Sequence, residues 1–571
     1  MAGGAKTRFH TGGERPARAL LAYSMSVVED IFARLERTDR PVLQEIRDTD
    51  IISVTGRELL ELVGKARGFF STRGLKKGDR CALLAHNSIR WVAMDLAMMA
   101  EGVIAVPLYA RQSPAELVAM MKDCSPSLIC CGDDNLRMGI VEPWPEGPNQ
   151  YLFDQIFASA GSDREKIQLA DSDPVTIIYT SGTSGEAKGV VLNAGNIAHM
   201  LGCTSGRLDQ LMGEKHRQEW VFHYLPFCFA GSWIMLLTCL LRGSVLTLNT
   251  DLGKLAAEMR TVAPDYFLNV PALLERMRKA VDQQLWQTGG LVLGIYSRAK
   301  AAWTRKYEHQ SRWGDSIWLG LANSLVFPAI RKKMIGANLK ALICGSAPLN
   351  LETQLFFMML GIPVLQVYGL TETTAICTMD HPRHVEPGRV GPAIRGIEMK
   401  LGENDEIVVR GPNIFPGYWN RPQETAKALR DGWFHTGDQG EVDGAGNWRI
   451  IGRIKNLIVL LSGHKVAPEP IEDELLPHIP DAQQVILVGN GRGYLSAIVT
   501  GEVIAKKVQS AVDEVNEHLP HYKQIRAFHI HQEPFSIGNG LLTANGKVKR
   551  DLISTRLHND IEALYQARQA S

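Results

Sequence analysis

The segment YTSGTSGEAKGVVL, residues 179–192, concentrates four Ser/Thr hydroxyls, three glycines and one lysine, Lys188. Glycines allow the backbone to approach phosphate oxygens closely, and successive backbone N–H groups can form an anion-binding nest. Hydroxyls and a lysine beside such a nest suit a polyphosphate. The alternative interpretation is a solvated polar turn between two strands, and this segment alone does not separate the two.

The segment does not match a Walker loop, which reads G-x-x-x-x-G-K-[ST] and opens a helix. Counted from Gly182, Ala187 stands where the second glycine is required, and Gly189 stands where the Mg²⁺-binding Ser/Thr is required. The flanking runs PVTIIYT (174–180) and VVL (190–192) are rich in β-branched apolar residues, which indicates strands. The sequence therefore predicts a loop that joins strand to strand.

Further polar motifs follow in order along the chain. They are CGSAPL (344–349), VYGLTETT (367–374), HTGDQG (435–440) and LLTANGKVKR (541–550). Taken singly, each has an ordinary structural explanation as a strand-to-helix turn, a helix cap or a polar turn. Their order and joint presence, rather than any one of them, indicate a function.

Together with IGRIKNLIVLLSGHKVAPEPIEDEL (451–475), this ordered set resembles the adenylate-forming superfamily from about residue 25 to 560. The segments LVFPAIRKKMIGANLKALICGSAPL (325–349) and GHKVAPEPIEDEL (463–475) are most similar to long-chain fatty acyl-CoA synthetases. The resemblance implies that a fatty acid and ATP give acyl-AMP and pyrophosphate, and that CoA then displaces AMP. In such a reaction the protein mainly positions the reactants and neutralises charge.

The resemblance also implies roles for individual residues. Lys547 would be the catalytic cation that a small domain inserts beside the α-phosphate, and Lys455 would lie at the hinge of that domain. Thr371 would contact the α-phosphate. Glu372 would hold Mg²⁺, a hard cation that prefers carboxylate and phosphate oxygens.

The same resemblance implies a nucleotide-binding set. Its members form the loop over the β- and γ-phosphates, the wall of the adenine site, where Tyr368 would stack on the base, and the ribose site, where Asp438 would accept the hydroxyls. The set comprises Thr180, Ser181, Gly182, Thr183, Ser184, Gly185, Lys188, Gly345, Ser346, Ala347, Tyr368, Gly369, Asp438 and Arg453.

The arrangement of apolar patterns predicts the architecture that must position these residues. Helical and strand patterns alternate from residue 56 to about 250 and again at 338–369, which is typical of parallel β-α-β layers. Short strands and a hairpin follow from about 385, and an α+β unit follows Arg453. We therefore expect an α/β fold, with a large multi-sheet N-terminal domain (1–452) and a small, mobile α+β C-terminal domain (453–571).

Composition narrows the class of protein. The 62 basic and 61 acidic side chains leave a net charge of +1, so nucleic acid is not an expected partner. Nine scattered cysteines without a C-x-x-C pair argue against a disulfide framework or a zinc site and suit the cytosol. No secretory signal is recognised, and the apolar runs at 91–110 and 233–241 are charged or too short to span a bilayer.

Two rivals to the CoA ligase hypothesis stay open. A fatty acyl-AMP ligase would load an acyl carrier protein, although such relatives usually read YP-x-D-I-E where this chain reads VAPEPIEDEL. A non-catalytic lipid- or nucleotide-binding relative is disfavoured by the intact polar set. Phe229 stands where many long-chain members have His, so the acyl pocket is expected to differ.

Residues 298–333 carry an excess of positive charge. The segment contains eight Lys/Arg side chains and two acidic ones, interleaved with Trp303, Trp313 and Trp318. Aromatic and basic side chains favour the lipid interface, so peripheral membrane contact is one interpretation. A helical cap beside the acyl site with a solvated basic face is the interpretation that the sequence favours.

Overall fold

The structure is a computed structural model that describes residues 27–48, 50–181, 187–213, 217–336, 338–543 and 546–566. The described part of the chain is mixed α/β, as the alternating patterns predict. Its strands are β1 (Pro41–Arg47), β2 (Asp50–Thr55), β3 (Arg80–Leu84), β4 (Ile104–Leu108), β5 (Leu128–Cys131), β6 (Gln150–Leu152), β7 (Pro174–Ser181), β8 (Ala187–Asn193), β9 (Trp220–His223), β10 (Val245–Asn249), β11 (Tyr266–Asn269), β12 (Ala341–Cys344), β13 (Val364–Tyr368), β14 (Thr378–Met379), β15 (Glu398–Leu401), β16 (Glu406–Arg410), β17 (Gly417–Tyr418), β18 (Leu429–Arg430), β19 (Trp433–Val442), β20 (Trp448–Arg453), β21 (Ile458–Val459), β22 (Lys465–Val466), β23 (Gln484–Val488), β24 (Leu495–Thr500) and β25 (Ile525–His531).

Helices connect and cover these strands. They are α1 (Val27–Glu36), α2 (Gly56–Thr72), α3 (Ile89–Ala100), α4 (Pro114–Cys124), α5 (Asp134–Val141), α6 (Phe153–Phe157), α7 (Ala194–Met212), α8 (Ala230–Arg242), α9 (Leu255–Val262), α10 (Pro271–Thr288), α11 (Gly290–Tyr307), α12 (Asp315–Leu325), α13 (Phe327–Met334), α14 (Leu351–Met359), α15 (Pro422–Ala428), α16 (Glu469–Leu475), α17 (Ala505–Asn516), α18 (Arg550–Arg556) and α19 (His558–Gln566). None of the described helices is long and apolar enough to cross a bilayer.

The first sheet has eight strands in the order β14-β13-β12-β11-β9-β10-β1-β2. Its interior strands run parallel, and the edge strands β14 and β2 are antiparallel to their neighbours. The unit β12-α14-β13 confirms the alternation predicted for 338–369. Because the carboxyl ends of parallel strands meet at one edge, the motifs that follow β12 and β13 lie side by side.

The second sheet has seven strands in the order β17-β8-β7-β4-β3-β5-β6. Strands β3 and β4 run parallel on either side of α3 in sequence, as predicted. Strands β7 and β8 form an antiparallel hairpin. The predicted strand-to-strand loop at 179–192 is therefore confirmed, and a Walker-type loop-to-helix junction is excluded.

The main core lies between these two sheets. Nearly every residue of α3 is buried, and this helix contacts β1 of the first sheet and β4 of the second. Helix α8 is equally apolar and buried, which confirms that the run at 233–241 is core. Within it, Trp233 donates its indole N–H to Oδ2 of Asp95 at 2.8 Å, so the buried carboxylate has a polar partner.

A third, antiparallel sheet contains β15, β16, β19, β18 and β20. The pair β19–β20 confirms the predicted hairpin at 440–453. Beyond it, β23, β24 and β25 form a separate sheet that packs with α17 around a core running from Ile458 to Ile525, distinct from the core that ends at Trp448. The exact boundary at 452/453 stays a prediction.

Candidate active site

The predicted phosphate loop connects β7 to β8. Thr180 is paired with Lys188 across the hairpin, and Ser181 is the last residue of β7. The remaining loop residues of the prediction lie outside the described residues: Gly182, Thr183, Ser184 and Gly185. The hairpin itself fixes where Lys188 emerges, at the start of β8.

Lys188 is held by an ion pair. Its Nζ donates to Oε2 of Glu424 at 2.7 Å and lies 5.2 Å from the centre of the Tyr418 ring. Hydrogen bonds from Lys188 and Lys427 lower the pKa of Glu424 to about 2. Glu424 therefore stays ionised at neutral pH and positions the lysine before any phosphate arrives.

Glu372 lies in a 3-10 turn, Thr371–Thr373, at the end of the first sheet. The hydroxyl of Tyr418 donates to Oε1 of Glu372 at 2.8 Å, and the backbone N–H of Phe415 donates to the Glu372 carbonyl oxygen at 2.9 Å. Tyr418 belongs to β17, which pairs with β8 of the second sheet. The contact thus ties the candidate metal ligand to the strand beside the one that carries Lys188.

Sequence reasoning missed Tyr418 and Glu424. Both lie in GYWNRPQET, residues 417–425, for which no role was assigned. The only available signal was an aromatic hydroxyl and a carboxylate between two Pro/Gly-punctuated turns, and such turns are common.

The predicted adenine wall follows β12 and β13. A Cβ at Gly345 would lie 2.6 Å from Cγ2 of Val367, and one at Gly369 would lie 2.3 Å from the carbonyl oxygen of Ala375. At both positions a Cβ would collide with its neighbours, a valine side chain at Gly345 and the backbone at Gly369, so packing alone favours glycine. Ser346 has a φ of +74°, a left-handed conformation that costs energy for a residue with a Cβ, and it is exposed together with Ala347.

Tyr368, Asp438 and Arg453 form one hydrogen-bonded cluster. The Tyr368 hydroxyl donates to Oδ2 of Asp438 at 2.8 Å, and Nε of Arg453 lies 2.6 Å from Oδ1. Asp438 and Arg453 face each other across β19 and β20. Burial raises the pKa of Asp438, while Arg453 opposes that shift. Each carboxylate oxygen has a second lone pair, so the cluster can still accept hydroxyl donors.

Lys547 lies on a turn of the small C-terminal unit. The Thr543 N–H donates to the Lys547 carbonyl at 2.7 Å, the Lys547 N–H donates to Oγ1 of Thr543 at 3.1 Å, and Gly546 has a φ of +74°. The bridge between Leu542 and Val548 closes the turn. A turn was predicted here, although its residues 544–545 lie outside the described part.

Charged groups of the large unit influence the Lys547 ammonium. The side chain is exposed, yet the protein around its ammonium and the nearby Arg453 lower its pKa, while Asp438 and Glu372 raise it. These mutual influences place Lys547 within electrostatic reach of both carboxylates. The structure thus brings together Lys547, Arg453, Asp438 and Glu372 from segments far apart in sequence.

The donor set around Glu372 bears on the predicted Mg²⁺. Among the described residues, no group of three or more His, Cys, Asp or Glu side chains is arranged to hold a metal ion. Mg²⁺ commonly binds through one or two carboxylates together with substrate phosphates and water. A single carboxylate, Glu372, therefore fits a cation that arrives with a polyphosphate rather than a resident ion.

The predicted hinge directly follows Arg453. Residues Ile454–Asn456 form a 3-10 turn, and Lys455 is exposed there. A cavity of about 360 Å³ opens beside it, with Glu406, Arg430 and Arg453 in its lining. The chain between the two cores is thus a short turn that borders open space.

The family is defined by two matches. The pattern of the AMP-binding enzyme family matches residues 33–419, and that of the AMP-binding enzyme C-terminal domain matches residues 455–569. The chain therefore belongs to the AMP-binding enzyme family, and the predicted adenylate-forming resemblance is confirmed.

Within that family, the chain is similar to two long-chain-fatty-acid–CoA ligases and shares its fold with a CoA synthetase. The chain is 26% identical to the long-chain-fatty-acid–CoA ligase FadD15 of Mycobacterium bovis, over 92% of this chain and 94% of the relative. It is also 26% identical to the long-chain-fatty-acid–CoA ligase ACSBG2 of Gallus gallus, over 90% and 78%. The o-succinylbenzoate CoA synthetase of Bacillus subtilis, solved with its acyl-adenylate intermediate, shares the fold with a TM-score of 0.72 at 20% identity, over 92% and 97%.

Proposed function

We propose that the chain activates a fatty acid with ATP and transfers the acyl group to CoA. The observation that carries this proposal is the position of Tyr418. Its hydroxyl donates to Glu372 at 2.8 Å and its ring centre lies 5.2 Å from Nζ of Lys188, so the proposed Mg²⁺ ligand and the lysine of the predicted phosphate loop meet at one place. Family membership and the names of the two curated relatives support the same reaction.

In the first step, a carboxylate oxygen of the acid would attack the α-phosphorus of ATP while the bond to pyrophosphate breaks. Negative charge builds on the α-phosphate oxygens, and the ammonium of Lys547 would offset it. Lys188 would exchange Glu424 for the β- and γ-phosphates, and Thr371 would contact the α-phosphate. Glu372 would hold Mg²⁺, which when bound neutralises phosphate charge.

The nucleotide would be oriented by the other predicted residues. Asp438, fixed by Arg453, would accept the ribose hydroxyls, and the Tyr368 ring, anchored through its own hydroxyl, would pack against adenine. Ser346 and Ala347 would border the base. These contacts act on both steps, because AMP occupies the site in the adenylate as well.

In the second step, the CoA sulfur would attack the acyl carbon, and AMP would leave with the bonding electron pair. The small domain would rotate about the turn at Lys455 to open the route for CoA. Lys547 would then no longer face the α-phosphate. The same lysine would therefore matter in one step only.

A fatty acid is the acid class that we favour. Phe229 directly precedes α8, and its ring centre lies 5.6 Å from that of Tyr109, so an aromatic pair occupies the place where many long-chain members have His. The apolar helix α8 follows directly. Along an apolar wall, longer acyl chains would bind more tightly, since each buried methylene contributes about 0.8 kcal/mol of favourable free energy.

The test is a pyrophosphate-release screen over carboxylates from acetate to palmitate, with and without CoA. We expect AMP and pyrophosphate as products, acyl-CoA when CoA is present, and a kcat/KM that rises with chain length until the pocket ends. ADP as the main product, a flat profile, or a preference for an amino acid would refute the proposal. Activity only with an acyl carrier protein would establish the acyl-AMP ligase alternative instead.

A further inference from the structure

Apolar side chains are unusually exposed along the helices α10 to α12. Trp286 is 73% exposed, Leu291 87% and Trp313 94%. Clustered apolar exposure of this kind marks an interaction site more often than a plain solvated surface. The helical cap predicted for 298–333 therefore exposes apolar side chains in addition to its basic ones.

Helix α12 carries a continuous apolar stripe. Ile317, Leu321 and Leu325 are 56%, 39% and 64% exposed and recur every four residues, so they share one face of the helix. The opposite side is held by the protein, because Ala322 is fully buried and Asp315 is buried against Arg305. The exposed stripe is therefore presented on an anchored helix.

Helix α11 packs against α12, and the short connection 308–314 between them carries Trp313 near its end. The guanidinium of Arg298 lies 4.7 Å from the centre of the Trp318 ring, between the two helices. We call the resulting surface the α11–α12 face. Its exposed apolar members are Leu291, Trp313, Ile317, Leu321 and Leu325.

Unpaired positive charge lies on α11, on the connection 308–314 and on the neighbouring helix α13. Of the eight Lys/Arg side chains in 298–333, Lys300 pairs with Glu352 and Arg305 with Asp315. Within the described part of the chain, the other six have no ion pair: Arg298, Lys306, Arg312, Arg331, Lys332 and Lys333. The whole chain has a net charge of only +1, so this is a local excess.

We propose that the α11–α12 face docks on an anionic membrane surface. Exposed tryptophans and leucines enter the boundary between headgroups and acyl chains, and unpaired lysines and arginines are attracted to anionic headgroups. The charge complementarity favours a lipid surface over a second copy of the chain, because two like-charged faces would repel each other.

The experiment is flotation of the full chain with vesicles, without ATP or CoA. Phosphatidylcholine vesicles are compared with mixed phosphatidylcholine–phosphatidylglycerol vesicles at low and high salt. We expect binding to the mixed vesicles that weakens as salt screens the charges. The variant Lys306→Glu/Arg312→Glu reverses two exposed charges of α11 and its connection to α12, and should bind them at least about tenfold more weakly. The variant Ile317→Ser/Leu321→Ser/Leu325→Ser should lose binding by a similar factor, about tenfold or more.

Matched controls lie in the small unit. Ile504 is 60% exposed, and Lys506 and Lys507 are an exposed lysine pair. Ile504→Ser and Lys506→Glu/Lys507→Glu should bind vesicles like the unmodified chain. Far-ultraviolet circular dichroism of every variant verifies that the fold is retained.

Absence of vesicle binding, or equal binding by all variants, would overturn the proposal. A dimer in analytical ultracentrifugation that the stripe variant converts to a monomer, without lipid binding, would overturn it in favour of a subunit interface. The readout does not depend on turnover. Failure of the proposed function would therefore show in the pyrophosphate screen, and failure of this inference in flotation.

Discussion

The two halves of the candidate site are built in opposite ways. Asp438 is buried, held between the Tyr368 hydroxyl and Arg453, and fixed on adjacent strands. Lys547 is exposed, and its backbone hydrogen bonds to Thr543 stay within its own turn. One half depends on the packing of a sheet, and the other lies on a turn whose described backbone hydrogen bonds are local.

This difference suggests a division of labour. Groups that must bind the nucleotide in both steps gain from rigidity, since their geometry is needed throughout. A group that acts in one step gains from a position on a small, separately folded unit. We therefore expect changes in the buried half to affect both half-reactions and changes in the turn to affect only one.

The largest expected effect is that of Lys547→Ala. Removing one well-placed donor typically costs about 10²–10³ in rate, so adenylation should fall by that factor or more. Formation of acyl-CoA from supplied acyl-AMP and CoA should stay near the unmodified rate. Rapid-quench measurement of each half-reaction separates the two.

Lys507→Ala, an exposed lysine elsewhere on the small unit, is the control and should leave both half-reactions unchanged. If Lys547→Ala reduced both half-reactions together, or neither, the division between the two halves of the site would be wrong.

Glu372→Gln removes the charge of the proposed Mg²⁺ ligand and little volume, and the amide oxygen can still accept from Tyr418. We expect the Mg²⁺ concentration for half-maximal adenylation to rise by about 100-fold. Titration of pyrophosphate release with Mg²⁺ measures this, with Glu502→Gln as an exposed control. A variant that lost about 1 kcal/mol of stability but kept its Mg²⁺ dependence would show that Glu372 only caps its turn.

Tyr418→Phe removes the hydroxyl that orients Glu372 but keeps the ring beside Lys188. A partner of a metal ligand typically contributes about tenfold or more to affinity, so the Mg²⁺ requirement should rise about tenfold. The same substitution should leave the KM for the acid unchanged. An unchanged Mg²⁺ titration together with a lower melting temperature would assign Tyr418 a purely structural role.

The smallest effect concerns the stability of the core between the two large sheets, at Asp95 of α3. Burial raises the pKa of Asp95 to about 7, although the Trp233 hydrogen bond opposes the shift. The unfolded value is about 4, so the folded chain retains a proton that the unfolded chain releases, and the associated stability is lost as pH rises from about 4 through about 7. Asparagine does not ionise, so Asp95→Asn should avoid this loss.

Thermal unfolding between about pH 5 and about pH 8 measures the effect. The melting temperature of Asp95→Asn minus that of the unmodified chain should increase by about 2 °C from the lower pH to the higher. Asp513→Asn, at an exposed carboxylate of the small unit, is the matched control and should show no such trend. An equal trend in both variants would show that the buried carboxylate is not its source.

Much of the fold follows from local patterns. The β-branched runs around 179–192 predict the hairpin β7–β8, and the apolar run at 233–241 predicts the buried helix α8. Glycine and polar residues at strand ends predict where the motifs turn. These signals are local, because periodicity and turn chemistry depend on neighbours in the chain.

Contacts between distant segments could not be predicted in this way. Tyr418 and Glu372 are 46 positions apart, and Lys188 and Glu424 are 236 apart. No periodicity links them, since one pair joins β17 of the second sheet to the turn after β13 of the first, and the other joins α15 to β8. The ordered motifs indicated the members of the site but not these supporting partners.

The sequence by itself therefore determined the alternation of strands and helices, the strand-to-strand connection β7–β8 and the family. Tertiary structure alone decided that Asp438 would be shared by Tyr368 and Arg453, and that Glu372 would be tied to the strand next to the one carrying Lys188. It also decided that Ile317, Leu321 and Leu325 face outward. The physical reason is that local propensity fixes backbone conformation, whereas burial and charge pairing depend on which distant surfaces meet.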